Sequence, residues 1–310
     1  MTATPLFDRS MVLVTGKGGV GKSTIAAALG RAAAARGLRT MVCEVSQQSR
    51  VAALLGAEAG PLGEEREVEP GLWTASIDPD DALKAWLARQ LGSRPLVNIL
   101  TRSDLFGYFV AAAPGARELV TMTRVWEMSQ RDRWRKGDQG YDIVIADLPA
   151  SGHALGMIRA PKTFRDIARI GPIASQAGAV VETLDDPARS ALVAVTLPGE
   201  LPVSEALDLE GRAVETLGRP VDLIVVNDLM TRRWTPAEAA SLDGQGGGRA
   251  KGAAVREAAQ TAMQQRQLRR LRGGATAPVL TLPRVSGVVT PEVVRDLGAR
   301  LASALAGRAG

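Results

Sequence analysis

One stretch decides most of what this chain can fold into: Gly16-Lys17-Gly18-Gly19-Val20-Gly21-Lys22-Ser23-Thr24. The apolar run Met11 to Val14 precedes it, and an alanine-rich segment of helical character follows. It fits G-x-x-x-x-G-K-[ST], a loop whose glycines let successive backbone N–H groups curl around an anion at the mouth of a helix. Gly18, Gly19, Val20, Gly21, Lys22, Ser23 and Thr24 are therefore candidate nucleotide-binding residues. In such a loop Lys22 reaches the β- and γ-phosphates, and Ser23 offers its hydroxyl to Mg²⁺. A flexible glycine turn can match the same pattern, but here the strand before and the helix after supply the context that this chemistry requires.

The first helix is expected from about Gly21 to Arg36, with Ile25, Leu29 and Ala32 on its apolar side and Gly37 as a left-handed cap. A second strand, Arg39 to Val45, follows at once. Strand, loop, helix and strand in roughly 35 residues make a parallel βαβ crossover, hence a mostly parallel, twisted α/β sheet with helices on both faces. After it come a short helix, Val51 to Leu55, an exposed loop over 56–72 and a strand, Trp73 to Ile77. The nearly unbroken apolar run Tyr141 to Ala146 reads as a central strand. It delivers Asp147 to the C-terminal edge of the sheet, where ligands of open α/β sheets bind. Further βα units are Ala191 to Leu197 with Ser204 to Leu217, and Asp222 to Val226. Val279 to Leu282 is a last strand and Pro291 to Leu305 a closing helix. The 310 residues are thus expected to form one P-loop domain, with a helical insertion over 82–134 and a flexible link at about 236–252.

Inside the insertion, Trp86, Leu87 and Leu91, then Leu105, Phe106 and Phe109, then Leu119, Met122, Trp126 and Met128 recur at spacings of three and four. Such stripes usually pack into a core; the alternative is a helical subdomain whose apolar face binds a client or a partner subunit. No run approaches the ~18 apolar residues of a membrane span, and the start lacks the positive-then-apolar order of a signal peptide. A cytoplasmic protein with only indirect membrane contact is expected. The net charge of +5 allows contact with nucleic acid or acidic membranes without demanding it. Its main cluster, Arg266, Arg269, Arg270 and Arg272, falls on the helical stretch Lys251 to Arg272 beside a weak stripe of Met263, Leu268 and Leu271. That pattern reads as a solvated helix face, so a nucleic-acid partner is not expected. The single cysteine, Cys43, excludes an intrachain disulfide framework and a multi-thiolate metal site within one chain. It reads as a buried, inert thiol.

The second lysine of the loop narrows the field. K-G-G-x-G-K-[ST], as in Lys17 to Ser23, resembles the deviant phosphate loop of a family of dimeric ATPases. That family includes the arsenite-pump ATPase, the tail-anchored-protein targeting ATPase, the septum-site and plasmid-partition ATPases and nitrogenase iron protein. There the early lysine reaches across a two-fold interface to the partner's nucleotide, so the resemblance implies a catalytic Lys17 and a homodimer or a heterodimer with a paralogue. A second motif, Asp147-Leu148-Pro149-Ala150-Ser151-Gly152-His153-Ala154-Leu155, resembles the D-x-A-P-T-G-H-x-L switch of the arsenite and targeting ATPases. Alanine and proline are exchanged, and serine replaces threonine. By this resemblance Asp147 is catalytic and binds a Mg²⁺-coordinating water, with Ser23 as the other metal residue, and the turn through Gly152 senses the γ-phosphate. His153 is either part of that switch or a hydrogen-bonded turn residue. Val195 to Pro198 with Ser204-Glu205 resembles the strand and helix after the switch. Asn227 stands where relatives place an adenine-reading asparagine, whose amide offers both donor and acceptor, and Pro283 corresponds to the proline on the other side of the base. The resemblance runs from 11 to about 305 and points to the bacterial ArsA-like branch.

The departures bear on function. With one cysteine, neither the arsenite site nor the C-x-x-C zinc site of the relatives is available, nor the cluster ligands of the iron protein. Where the targeting ATPase carries S-T-D-P-A-H, this chain has Cys43-Glu44-Val45-Ser46-Gln47-Gln48-Ser49, which puts Ser46 in place of the water-orienting aspartate. Glu44 could serve only if the strand ends earlier. A long methionine-rich insertion is also missing; about thirty residues, from Gly156 to Pro187, occupy its interval. The expected function is a dimeric ATPase using ATP and Mg²⁺, with Lys17, Lys22 and Asp147 catalytic, coupling nucleotide state to an unidentified protein client. The alternative is an ATP-binding subunit with little hydrolysis of its own, acting as a nucleotide-gated module in a heterodimer. A partition or division-site ATPase fits less well, because the Pro291 to Leu305 helix has few basic residues and no bulky aromatic.

Overall fold

The first apolar run, Met11–Gly16 (β1), is buried at every position in the structure, a computed structural model that describes residues 5–45, 50–92, 97, 115–134, 137–235, 237–238 and 249–307. A strand with no solvent side needs a layer above and a layer below. Val12 and Val14 join one layer with Ile25, Leu29, Val42 and Leu297. Met11 and Leu13 join the other, with Met41, Met122, Met128 and Leu155. The remaining strands are Thr40–Glu44 (β2), Arg66–Glu69 (β3), Leu72–Ser76 (β4), Ile143–Ala150 (β5), Ser190–Thr196 (β6), Leu223–Leu229 (β7) and Val279–Pro283 (β8). They form one sheet in the order β3-β4-β2-β5-β1-β6-β7-β8. Every neighbouring pair is parallel except β3 with β4. This is the α/β architecture expected from the sequence.

On the first layer lie Lys22–Ala34 (α1), Arg50–Leu54 (α2) and the closing helix Pro291–Ala306, with α1 against the closing helix. A Cβ on Gly298 would stand 2.8 Å from the Ala28 carbonyl oxygen, so only glycine lets these two helices approach so closely. Pro79–Leu91 (α3) starts with Asp78, whose carboxylate accepts from the N–H groups of Asp80 and Asp81, an N-cap. Ala116–Met128 (α4), Ser151–Ala168 (α5), Pro172–Asp185 (α6), Glu200–Leu217 (α7) and Arg249–Gly274 (α8) cover the second layer, and the closing helix is α9. Among the described residues no helix is long and apolar enough to cross a membrane.

Several boundaries differ from the sequence reading. The 56–72 loop contains β3, an antiparallel edge strand whose Arg66-Glu67-Val68-Glu69 composition hides it, as charged edges do. β5 continues past Asp147 to Ala150, and α5 begins at Ser151. Gly152 and His153 therefore sit in the first turn of a helix and not in a turn between elements. β7 likewise runs beyond Val226, which puts Asn227 inside a strand. The insertion splits in character: Met122 and Met128 on α4 are fully buried core, whereas Leu91 on α3 is exposed. Leu105, Phe106 and Phe109 lie outside the described residues, as does most of the 236–252 link.

Candidate functional site

β1 and β5 are neighbours, with Val14 beside Asp147 in register, so the loop leaving β1 and the carboxylate on β5 meet at the C-terminal edge of the sheet. Gly16 must be glycine because a Cβ there would lie 2.1 Å from the Val195 carbonyl oxygen on β6. Gly19 and Gly21 have φ of 83° and 93°, a left-handed backbone that L side chains avoid. Built on Gly18 or Gly19, a Cβ meets nothing within 4 Å; the loop opens a concave space there. α1 begins at Lys22 without a side-chain cap, which leaves the N–H groups of its first turn for an anion. Thr24 is half-buried in that turn.

The charged groups close the site. Ser23 Oγ donates to Asp147 Oδ2 at 2.5 Å. Asp147 Oδ1 is buried and has no hydrogen-bond partner among the described residues. Burial pushes the Asp147 carboxyl up to about 6; the Ser23 hydrogen bond and the Lys22 charge oppose the rise, and the Glu44 charge adds to it. Lys22 Nζ donates to the Lys17 carbonyl at 3.1 Å. Burial lowers the Lys22 pKa against the opposing pull of Asp147, with Arg50 adding to the lowering. An unpartnered carboxylate oxygen beside a serine hydroxyl, an ammonium and free backbone N–H groups is the donor set that a hydrated divalent cation and a phosphate chain together satisfy.

The structure brings the other sequence-derived candidates to this edge in unequal ways. Lys17 Nζ pairs with Glu205 Oε1 on α7 of its own chain at 2.7 Å, with both side chains about a third exposed. Asn227 Nδ2 donates to the Val20 carbonyl at 3.0 Å, and a Cβ on Gly21 would come within 2.5 Å of that nitrogen. The amide thus braces the phosphate loop from β7. Pro283 ends β8 beside Leu229, two residues beyond Asn227. Glu44 is buried next to Asp147 in register, and its Oε2 accepts from Val51 N at 3.0 Å. Ser46 lies outside the described residues. His153 is exposed on α5, its Nε2 3.9 Å from Glu118 Oε1. Cys43 is buried, and burial raises its thiol pKa far above the usual range, with the Asp147 charge adding to the rise; it is an inert packing residue.

Sequence reasoning missed Glu205 as the partner of Lys17, because the two stand 188 positions apart. It missed a polar network as well, in which Glu65 meets Arg124, Arg133 and Tyr141. That network borders a cavity of about 1390 Å³ between β4, α3 and α4, which no phosphate-loop residue lines. The size of a cavity is a poor guide here, since phosphate sites are built from backbone N–H groups on an open edge.

Comparison with known proteins bears on this edge. The family model for anion-transporting ATPases matches residues 9–171, a span that holds both the loop and Asp147. ATPase BagA of Mycobacterium tuberculosis is 30% identical over 235 residues, which cover 74% of this chain and 67% of that protein. An ATPase ASNA1 homolog of Entamoeba histolytica is 26% identical over 262 residues, covering 71% of this chain and 76% of that protein.

Proposed function

The chain belongs to the anion-transporting ATPase family, a family of ATPases, and from that membership and its loop geometry we propose that it binds Mg·ATP at the β1–β5 edge and hydrolyses it within a dimer. The observation that carries this reading is Asp147, buried with one oxygen on Ser23 and the other without a hydrogen-bond partner among the described residues. Phosphoryl transfer to water needs positioning and charge neutralisation more than covalent chemistry. The N–H groups of the loop and the first turn of α1 hold the phosphates, aided by the helix dipole. The ammonium of Lys22, whose protonated form is disfavoured by burial, regains a counter-charge from the phosphates. When bound, Mg²⁺ supplies positive charge at the phosphate oxygens; Ser23 would hold it directly and Asp147 through a water. Asn227 and Pro283 flank the base, with Asn227 keeping its contact to the loop.

Lys17 is proposed to exchange Glu205 for the nucleotide of a partner subunit, either a second copy or a paralogue. The client is proposed to meet the joint between α5 and α6. There Ile167, Ile170 and Ile173 stand 72, 87 and 41% exposed, at the end of the helix whose first turn follows the Asp147 strand. A second reading is an ATP-binding subunit with little turnover of its own. It rests on Ser46, which is neutral where the targeting ATPase carries an aspartate, and on Glu44, whose carboxylate is held by the Val51 N–H.

Titration calorimetry with Mg·ATP tests the site. The wild-type chain is expected to give saturable binding and Lys22→Ala none, with an unchanged far-UV spectrum. Equal affinity in the two proteins overturns the proposal, and binding without turnover in the wild type selects the second reading.

A further inference from the structure

A concentration of unbalanced positive charge lies away from the phosphate loop, on α8. Between Arg249 and Gly274 the helix carries seven basic residues and one acidic residue, Glu257. Thr261, Gln264, Leu268 and Leu271 are its buried side, which leaves Arg266 and Arg269 exposed about one turn apart. The segment leaving β7 faces them, fastened to the helix by Met230 N donating to Gln264 Oε1 at 2.8 Å. Arg232, Arg233 and Trp234 on that segment and Arg266 and Arg269 on α8 wall a groove of about 290 Å³.

Among the described residues, four guanidinium groups share this groove with a single carboxylate contact, Arg233 Nε to Glu257 Oε1 at 3.4 Å. Arg232 Nε donates to the Trp234 carbonyl at 3.1 Å, and Arg266 and Arg269 have no ion-pair partner among the described residues. Glu238, whose carboxylate accepts from Thr235 N and Oγ1 at 2.7 and 2.8 Å at the groove's edge, brings a second negative charge, and the four guanidinium groups still outnumber it and Glu257. Like charges held around one concavity repel, and an anion between them removes that cost.

We propose that this groove binds single-stranded nucleic acid, with one base against the Trp234 ring and the neighbouring phosphates on the four arginines. Guanidinium forks match phosphate oxygens two at a time, and an indole face accepts any base by stacking. The volume falls just under the range of about 300 to 1,000 Å³ that holds whole drug-sized ligands, so it seats one base of a longer chain. A protein partner would need apolar area ringing the tryptophan, as at interface hot spots; here the ring of contacts is two alanines, polar groups and arginines. From sequence alone α8 reads as a solvated face because the opposing wall, more than thirty positions earlier, is brought to it only by the fold.

The experiment is fluorescence anisotropy of a labelled oligothymidylate of about twelve nucleotides, within the usual single-strand site sizes, on the full chain across a salt series. Each single-strand phosphate contact contributes about −0.7 to the log–log salt slope. Four contacts therefore predict a slope of about −3, halved in Arg266→Ala/Arg269→Ala. Trp234→Ala is expected to weaken binding roughly tenfold while Trp234→Phe keeps most of it. Lys22→Ala, which disables the phosphate loop, should bind the oligonucleotide like the wild type, so failure of the nucleotide reading and failure of this one are separable. No binding at low salt overturns the proposal. So does a salt slope unmoved by the double variant, loss of binding in Lys22→Ala, or competition by polyglutamate as strong as that by the oligonucleotide.

Discussion

Asp147 and Tyr141 are six positions apart in the chain, yet they belong to opposite kinds of buried charge. Near Tyr141, Glu65 and Glu127 face Arg124 and Arg133, and all four carboxylate oxygens have partners. Glu65 accepts from Arg124 at 2.8 Å, from Arg133 at 2.6 Å and from the Tyr141 hydroxyl at 2.6 Å. Glu127 accepts from Arg133 Nε and Trp134 N, both at 2.8 Å, and from Arg124. Burial alone would raise the Glu65 pKa, but the Arg133 and Tyr141 hydrogen bonds overcome it and hold the carboxyl below its usual range. At Asp147 the same burial wins, with the Glu44 charge adding to it, against the Ser23 hydrogen bond and the Lys22 charge, and Oδ1 has no hydrogen-bond partner among the described residues. A charge cluster that satisfies itself is structure; one that does not is waiting for a ligand.

The largest effect expected from breaking this contrast is on stability. Arg133→Ala leaves the buried Glu127 carboxylate short of two donors, a loss of about 3–5 kcal/mol. Urea unfolding should show a lower midpoint, while the folded fraction keeps its ATP affinity. A cost under about 1 kcal/mol would mean that the network is not the structural element that the comparison makes it.

Asp147→Asn runs in the reverse direction. The folded pKa of about 6 is above the unfolded value, so the folded state holds its proton longer than the unfolded state does. Stability from this group is then greatest below about pH 4, falls as pH rises to about 6, and stays low above it. Above pH 6 the neutral variant should be more stable than the wild type by up to about 3 kcal/mol in the absence of nucleotide, with the gain vanishing near pH 4. Thermal unfolding at the two pH values measures it. An equally destabilised variant at both would show that the orphan oxygen is satisfied in solution.

The smallest effect concerns Lys17 and Glu205. Partly exposed pairs of this kind contribute about 0–1 kcal/mol, so Glu205→Gln should leave unfolding almost unchanged. If Glu205 holds Lys17 away from a partner subunit, sedimentation with a non-hydrolysable ATP analogue should show more dimer in the variant than in the wild type. An unaltered distribution would make the pair a surface contact and nothing more.

Much of the fold was legible because its signals are local. Met11 to Val14 is apolar at each position and so had to be a strand between two layers, and Gly21 next to Lys22-Ser23 had to open a helix. The misreadings share a cause as well. Arg66 to Glu69 lacks an apolar face because its strand is an edge, and Gly152 looks like a turn residue although the helix simply starts one position earlier. Asn227 carried a chemical role by resemblance, but its contact with Val20 depends on β7 lying two strands from β1, which no local pattern encodes.

The sequence by itself therefore determined the phosphate loop, the central strands and the family, since backbone conformation at glycine and side-chain periodicity are properties of a few consecutive residues. The tertiary structure alone decided which charges meet. It chose Glu205 for Lys17 among many carboxylates, left Asp147 one oxygen short, compensated Glu65 in full, and laid Arg232 to Trp234 across from Arg266 and Arg269. Pairing at such separations is set by the order in which strands and crossovers assemble, and burial then fixes what each pairing, or its absence, is worth.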